Sequence, residues 1–289
     1  KRIIYLNAKI KFNIEMKVLK FGGGCLKDAN SIKKLPAILK NYTNSQVFLV
    51  LSAFGKTTNM LEGQNYQDVI NYTRIIMSEL DFETSIIQEV LDNYLTNEKI
   101  AQILNYPSRV CIGEYLSSDI LHRYLCNKGF PNQLIDASLC VWTGRWNQKL
   151  NAASFHSASL PEYAQKNRLS ITQGFIASDI QSKQNPSNII RTTLGREGSD
   201  YSAAIFGALL NAEEVILFKD VDGIYDKDPK LYADANLFLK LSYNQAFQIC
   251  NQEDTVVHPN TLRHLQEHQI PIRIKNFNNF CKQGSLIID

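Results

Sequence analysis

Short, fully apolar runs alternate along the chain with longer segments whose apolar residues recur every three or four positions. Runs of the first kind fit buried strands of a parallel sheet, and segments of the second kind fit amphipathic helices. The predicted strands are residues 18–21, 47–51, 133–135, 169–171, 215–218, 271–274 and 285–288. The predicted helices are residues 28–42, 67–95 (as two helices), 110–127, 199–210 and 260–268. This alternation predicts an α/β fold whose mostly parallel central sheet is covered on both faces.

Breaks in the pattern indicate how the chain is divided. Pro36 lies inside the first helical segment, where we expect it to kink or restart the helix. Residues 181–187 are polar, which predicts a boundary between an N-terminal lobe at 16–186 and a C-terminal lobe at 187–289. Met16 directly precedes the first strand, so we expect residues 1–15 to be an extension in front of the fold.

Composition narrows the class of protein. The 289 residues suffice for a sizeable core, and the 31 basic and 28 acidic residues are dispersed, which predicts no nucleic-acid partner. No apolar run approaches the ~20 residues of a membrane span, so no membrane partner is expected. The six cysteines have no CxxC spacing, so we predict free thiols, a cytoplasmic location and no protein-held metal.

Glycine-rich or polar turns follow several of the predicted strands. Four such turns lie at residues 20–24, 52–58, 172–174 and 195–200. Because the carboxyl ends of parallel strands meet at one edge of a sheet, we expect these turns to form one site. Backbone N–H groups of such turns bind phosphate, and Lys20 and Arg196 add positive charge. The turns therefore predict a phosphoryl-transfer site.

Several motifs resemble those of the catalytic domain of aspartokinases, in the amino acid kinase family, over roughly residues 16–289. The matching segments are Lys20-Phe21-Gly22-Gly23, Ser52 to Asn59, Gly113-Glu114, Thr172 to Ile176, Thr193 to Arg196, Gly198 to Tyr201, Asp220 to Tyr225 with Asp228-Pro229, and His258-Pro259. The resemblance implies a three-layer αβα sandwich. It also implies ATP-dependent phosphorylation of the β-carboxylate of L-aspartate, a step of lysine and threonine biosynthesis, and the possibility of a homodimer.

The resemblance also implies roles for single residues. Lys20 would stabilise the transferring phosphate, and Asp200 would orient that lysine. The residues implied to bind ATP, with Mg²⁺ on its phosphates, are Lys20, Gly22, Gly23, Gly24, Lys219, Asp220, Tyr225, Asp228, Pro229 and Lys230. Those implied to bind L-aspartate are Ser52, Thr58, Glu114, Arg196 and Ser199. Within that set Glu114 suits the ammonium group and Arg196 a carboxylate.

The chain departs from the family pattern at several positions. Gly24-Cys25 replaces the usual Thr-Ser, Glu197 replaces a glycine, and Ser138 replaces an arginine. Thr255 stands where the family commonly has a lysine that reaches the phosphates. Without that cation we expect the transition state of phosphoryl transfer to be less stabilised. The cations that could replace it are Lys219, Arg263 and Lys275.

These departures leave two alternatives beside an active aspartate kinase. One is a kinase of the same fold with a different amino acid acceptor. The other is a catalytically weakened homologue that binds a nucleotide or an amino acid. The segment Gly284 to Ile287 is where the kinase domain closes in this family, so we expect no ACT regulatory domain and no feedback inhibition by lysine or threonine.

Overall fold

The computed structural model describes residues 15–103, 105–161, 164, 167–185, 187–250 and 256–289. The expected extension at residues 1–15 lies outside this part of the chain except for Glu15, and so does Thr255. The strands, in chain order, are β1 (Met16–Phe21), β2 (Gln46–Leu51), β3 (Gln133–Ile135), β4 (Val141–Thr143), β5 (Phe155–Ala158), β6 (Leu169–Gln173), β7 (Ile176–Asp179), β8 (Arg191–Thr193), β9 (Glu214–Lys219), β10 (Ile224–Tyr225), β11 (Leu237–Phe238), β12 (Lys240–Leu241), β13 (Ile272–Asn276) and β14 (Ser285–Ile287).

The α-helices are mostly short, and two of them replace the predicted helix at residues 28–42. They are α1 (Ala29–Ile32), α2 (Leu35–Lys40), α3 (Thr57–Glu62), α4 (Tyr66–Glu79), α5 (Thr84–Tyr94), α6 (Asn97–Ala101), α7 (Tyr106–Val110), α8 (Ile112–Asn127), α9 (Gly198–Leu209), α10 (Tyr243–Ile249) and α11 (Pro259–Glu267). The restart expected at Pro36 is confirmed, because this proline lies in the first turn of α2, where no backbone N–H is needed.

The central sheet has eight strands in the order β12-β14-β13-β9-β1-β2-β6-β3. Every neighbouring pair is parallel except β13 and β14. The strand β1 lies in the middle, with Leu19 opposite Leu49 on one side and Ile216 on the other. The predicted α/β class with a mostly parallel sheet is therefore confirmed.

Side chains alternate across this sheet and build two cores. Leu19 and Phe21 of β1 face a core shared with α1, α2, α4, α5 and α8. Val18 faces the opposite core, which is shared with α9, α10 and α11. Because the side-chain period of a strand is two, Lys20 lies on the same face as Val18 and is aimed at α9. Helices on both faces of the sheet make the expected three layers.

A second sheet of four strands, in the order β5-β4-β7-β8, packs on the α9 side. The sequence pattern did not predict it, because its strands are only three or four residues long and carry buried Ser and Thr. The remaining strands, β10 and β11, form a two-stranded ribbon. Across the described residues, no helix is both long and apolar enough to cross a membrane.

Candidate active site

A cavity of about 710 Å³ opens at the carboxyl ends of the central strands. Its walls are the turn after β1, the turn after β2, the loop that leads into α9, and the end of β9. All four elements meet there because β9, β1 and β2 are parallel neighbours in the sheet. Three of the four turns that the sequence predicted to share a site therefore do so. The fourth turn, at residues 172–174, does not line the cavity itself, but the next residue, Phe175, does.

Three charged side chains meet on one side of this cavity. Lys20 Nζ lies 2.5 Å from Asp200 Oδ1, and Lys219 Nζ lies 2.6 Å from Asp200 Oδ2. The Asp200 side chain is fully buried in the first turn of α9, where the helix dipole also favours an anion. Asp200 thus holds two ammonium groups from neighbouring strands at the same edge of the sheet.

The two lysines decide the charge of Asp200. Burial alone raises the pKa of this carboxyl, but the charges and hydrogen bonds of Lys20 and Lys219 outweigh burial and lower the pKa to about 2. Burial lowers the pKa of Lys219, and the carboxylates of Asp200 and Glu197 more than reverse this effect, so its pKa is raised. At neutral pH this side of the cavity therefore carries an ionised carboxylate and a charged Lys219.

The turn after β1 comes close to the turn after β2. The Gly55 N–H donates a hydrogen bond to the Gly23 carbonyl at 3.1 Å. A Cβ atom at Gly23 would lie 2.8 Å from the Gly55 carbonyl oxygen, so this approach requires glycine. Gly22 and Gly24 also line the cavity, and nothing lies within 4 Å of a Cβ built at Gly24. The turn therefore presents backbone, not side chains, to the cavity.

The loop into α9 bends through left-handed backbone conformations. Gly195 has φ +79°, and a Cβ there would lie 2.6 Å from Ala152 Cβ. Glu197 has φ +54°, a conformation that costs a residue with a side chain about 1 kcal/mol or more. Its carboxylate, 42% exposed, lines the cavity 3.4 Å from Lys219 Nζ. Glu197 therefore brings a negative charge into the cavity, partly balanced by Lys219.

On the other side of the cavity, Glu114 lies in the first turn of α8. The Ala53 N–H donates a hydrogen bond to Glu114 Oε1 at 3.3 Å, whereas Glu114 Oε2 is buried with no hydrogen-bond partner. Burial raises the pKa of Glu114 to about 8, against smaller lowering effects of the Ala53 N–H and of Lys20. This carboxyl is mostly neutral at pH 7 and lacks a cation.

Most of the residues predicted to bind ligands line this one cavity. They are Lys20, Gly22, Gly23, Gly24, Ser52, Thr58, Glu114, Arg196, Ser199, Lys219 and Asp220. Asp200 is buried directly behind Lys20. The other four, Tyr225, Asp228, Pro229 and Lys230, line a further cavity of about 880 Å³. Asp220 in the first cavity and Val221 in the second are consecutive, so the two cavities adjoin along the chain.

Sequence reasoning missed several residues that shape the first cavity. Among them are Tyr106 of α7, Asn151 and Phe175. Phe175 lies in the segment Thr172 to Ile176 and has φ +66°, and its backbone N–H donates a hydrogen bond to Ser202 Oγ at 2.8 Å. Tyr106 stacks on Trp146 at 5.7 Å between ring centroids. No periodicity or glycine-rich turn marks Tyr106 or Asn151, whereas Phe175 directly follows the predicted turn at residues 172–174.

Of the departures from the family pattern, Gly24, Cys25 and Glu197 line this cavity, whereas Ser138 does not, and Thr255 lies outside the described residues. The Cys25 Sγ donates a hydrogen bond to the Phe218 carbonyl. Of the cations considered as replacements at Thr255, Lys219 lines the cavity. No group of three or more possible metal-ligating His, Cys, Asp or Glu residues occurs within the described ranges.

Comparison with known proteins shows which family this chain matches. The family model described as the amino acid kinase family matches residues 15–276 of this chain. Aspartokinase 3 of Arabidopsis thaliana, described as chloroplastic, is 28% identical over 93% of this chain and 52% of its own length. The aspartokinase of Chlamydia trachomatis is 28% identical over 93% of this chain and 64% of its own length. The chain thus spans less than two thirds of these curated relatives.

A solved structure gives the same result. The crystal structure of E. coli aspartokinase III, in complex with aspartate and ADP, superposes with a TM-score of 0.80. The two proteins are 26% identical, and the match covers 95% of this chain and 65% of the E. coli chain.

Proposed function

The chain belongs to the amino acid kinase family, and on this premise we propose that it transfers the γ-phosphoryl group of ATP to the β-carboxylate of L-aspartate. The product would be 4-phospho-L-aspartate, an acyl phosphate. One observation carries the proposal: a single cavity holds two ammonium groups paired with Asp200 on one side and a buried carboxyl without a cation on the other. The first side suits phosphates, and the second suits the ammonium of an α-amino acid.

On the phosphate side, Lys20 would contact the transferring group. Lys219 would contribute a second ammonium, which supports its role as the replacement for the lysine expected at position 255. Asp200 positions both ammonium groups without entering the cavity, because it is fully buried behind them. Backbone N–H groups of Gly22, Gly23 and Gly24 would bind the phosphate oxygens.

On the acceptor side, Glu114 would bind the substrate ammonium, which supplies the missing cation for Oε2. The guanidinium of Arg196 would bind a substrate carboxylate through two parallel hydrogen bonds. Ser52, Thr58 and Ser199 line the same cavity and would donate hydroxyl hydrogen bonds. Together these contacts would select a free α-amino acid.

The transfer needs no covalent enzyme intermediate. The β-carboxylate of aspartate is already ionised at neutral pH, so it can attack the γ-phosphorus in line without a general base. A Mg²⁺ ion bound with the nucleotide would neutralise charge on the phosphates, and Asp220 is a carboxylate on that side of the cavity that could hold it. The chain's own contribution is positioning and the two ammonium groups.

The rest of the nucleotide would lie toward the second cavity. Tyr225, Asp228, Pro229 and Lys230 line it, and it adjoins the phosphate side through Asp220. In this arrangement residues 187–289 would hold most of the nucleotide and residues 16–186 most of the acceptor. The division would not be strict, because Gly22 to Gly24 would bind phosphates from the first segment and Arg196 would bind the acceptor from the second. A cytoplasmic location and a homodimer remain predictions from the sequence.

One alternative is favoured by a specific observation. The Glu197 carboxylate lies in the cavity beside Lys219, and a negative charge there opposes the binding of phosphates. A homologue that binds a nucleotide or an amino acid with little turnover would therefore share this geometry. A kinase with a different amino acid acceptor would share it as well.

Turnover of ATP with L-aspartate and Mg²⁺, with the acyl phosphate trapped by hydroxylamine, tests the proposal. We expect aspartyl hydroxamate from the wild type and almost none from Lys20→Ala. Hydroxamate with another amino acid and none with aspartate would show a different acceptor. Nucleotide binding with no hydroxamate from any amino acid would contradict a kinase and favour the weakened homologue.

A further inference from the structure

A separate cavity of about 610 Å³ lies beside α8 and is distinct from the candidate active site. Tyr115 of α8 faces it, whereas the preceding residue, Glu114, faces the active site. Asp136, which follows β3, and Arg191, which begins β8, provide its charged groups. None of its lining residues lines the active-site cavity.

Arg191 brings an unbalanced positive charge to this cavity. Its guanidinium stacks over the Tyr115 ring, with Cζ 5.0 Å from the ring centroid. Its Nη1 is buried and has no hydrogen-bond partner, and no carboxylate of the described residues forms an ion pair with it. A buried charged donor without an acceptor is costly, so the group favours an anion that the fold itself does not supply.

Only one of the two carboxylate oxygens of Asp136 accepts hydrogen bonds from the described residues. Its Oδ1 accepts hydrogen bonds from the Tyr115 hydroxyl at 3.0 Å and from the Ser138 N–H at 2.9 Å. Within the part of the chain that the structure describes, no group donates to Oδ2. Burial, followed by the charge of Asp136, raises the pKa of Tyr115 well above its usual value, so its hydroxyl remains a donor.

The Tyr115 side chain fixes the spacing of the two charges. The Arg191 guanidinium lies over the face of its ring and the Asp136 carboxylate accepts from its hydroxyl, so one aromatic side chain contacts both the cation and the carboxylate. Tyr94, Leu134 and Ile189 add apolar surface to the same cavity. The cavity thus offers a cation, a carboxylate oxygen and an apolar wall.

We propose that this cavity is a second binding site that takes an apolar α-amino acid. The ligand carboxylate would accept hydrogen bonds from Arg191, its ammonium would donate to Asp136 Oδ2, and its side chain would contact the apolar wall. The site is independent of the proposed kinase activity, because it shares no lining residue with the active-site cavity.

Isothermal titration calorimetry on the full chain tests this site with three matched probes. L-Phenylalanine carries both charged groups, 3-phenylpropanoate lacks the ammonium, and phenethylamine lacks the carboxylate. We expect L-phenylalanine to bind with 1:1 stoichiometry and each of the other two about tenfold more weakly or worse. Equal binding of 3-phenylpropanoate would overturn the proposal, and so would the absence of saturable binding of L-phenylalanine.

Variants separate this cavity from the acceptor site. Arg191→Gln and Asp136→Asn should each weaken L-phenylalanine about tenfold, and the exposed control Arg74→Gln on α4 should not change it. The Arg196→Ala variant, altered in the active-site cavity, should bind L-phenylalanine as the wild type does. Binding that is lost in Arg196→Ala and kept in Arg191→Gln would assign the ligand to the acceptor site and overturn the proposal. Thermal melting of each variant checks that it is folded.

Discussion

Two buried carboxyl groups lie on opposite sides of the candidate active site, and their environments differ. Asp200 is contacted by an ammonium group on each oxygen, and its pKa is lowered to about 2. Glu114 receives one backbone hydrogen bond, has a buried oxygen without a partner, and its pKa is raised to about 8 by burial. Burial penalises both anions, so the difference comes from the cations that the fold supplies to one and withholds from the other.

This difference indicates what each side of the cavity does. The phosphate side is charged and complete before a ligand arrives, because Asp200 already holds Lys20 and Lys219 in place. The acceptor side is incomplete, because Glu114 gains a cation only from a ligand. An anionic ligand therefore meets a preorganised side, and an ammonium group completes the other.

The largest expected effect is on the preorganised side. Lys20→Ala should lower kcat by roughly 10³–10⁵-fold, because it removes the ammonium that stabilises charge on the transferring phosphoryl group. The measurement is hydroxamate formation at saturating ATP and aspartate. Lys17→Ala is the control, because Lys17 lies on the same strand but pairs with Glu213 away from the cavity. Equal losses in the two variants would attribute the effect to strand β1 rather than to the site.

Asp200→Asn should lower the free energy of unfolding at pH 7 by about 3–5 kcal/mol, since it leaves the buried Lys20 ammonium without a counter-charge and leaves Lys219 only the carboxylate of Glu197 at 3.4 Å. Because the pKa of Asp200 is lowered, its stabilising contribution is present above pH ~4 and is lost as the pH falls toward about 2. Urea unfolding at pH 7 and at pH 3 measures this. A stability difference between variant and wild type that grows on acidification would contradict the ion pairs.

Glu114→Gln should raise the free energy of unfolding, whereas Asp200→Asn should lower it. Because the pKa of Glu114 is raised, the wild type loses stability as the pH rises from about 4.5 to about 8, and the variant is spared this loss. We expect the variant to be more stable by roughly 2–4 kcal/mol at pH 8 and similar to the wild type at pH 4.5. Urea unfolding at the two pH values measures the difference. A variant that is less stable at pH 8 would show that Glu114 has a cation partner.

The smallest effect is expected at Glu197. Glu197→Gly should stabilise the chain by about 1 kcal/mol, because glycine adopts φ +54° without strain. It should also lower KM for ATP a few-fold, because it removes a carboxylate from the phosphate side. Glu197→Gln keeps the strained backbone and loses the charge, so it should change KM without changing the melting temperature. A raised KM in both variants would assign Glu197 a supporting role.

Much of the fold follows from local sequence. The apolar run of β2 and the proline in α2 each mark an element directly, and the turn Gly22 to Gly24 marks the end of β1. The second sheet was not predictable in this way, because its strands are too short for a period of two to be visible. These strands form because they pair with one another and pack on α9.

Many of the residues that line the cavity could be predicted from the sequence, but the ionisation of its carboxyl groups could not. The motifs named Lys20, Asp200, Glu114 and Lys219, and the structure brings all four to one cavity or its wall. Which carboxyl is ionised depends on ion pairs between residues that lie on different elements, such as the pair of Lys219 with Asp200. Arg191 and Asp136 were not among the predicted site residues, because they come together only through the Tyr115 side chain of α8.

Proton release on aspartate binding tests the contrast between the two carboxyl groups most directly. Calorimetry at pH 7 in two buffers of different ionisation enthalpy gives the number of protons released. With the pKa of Glu114 at about 8, binding of an ammonium group should release about 0.9 proton per aspartate, and succinate or the Glu114→Gln variant should release none. Aspartate binding without proton release would contradict the claim that Glu114 is neutral before binding and becomes ionised when the ammonium group binds.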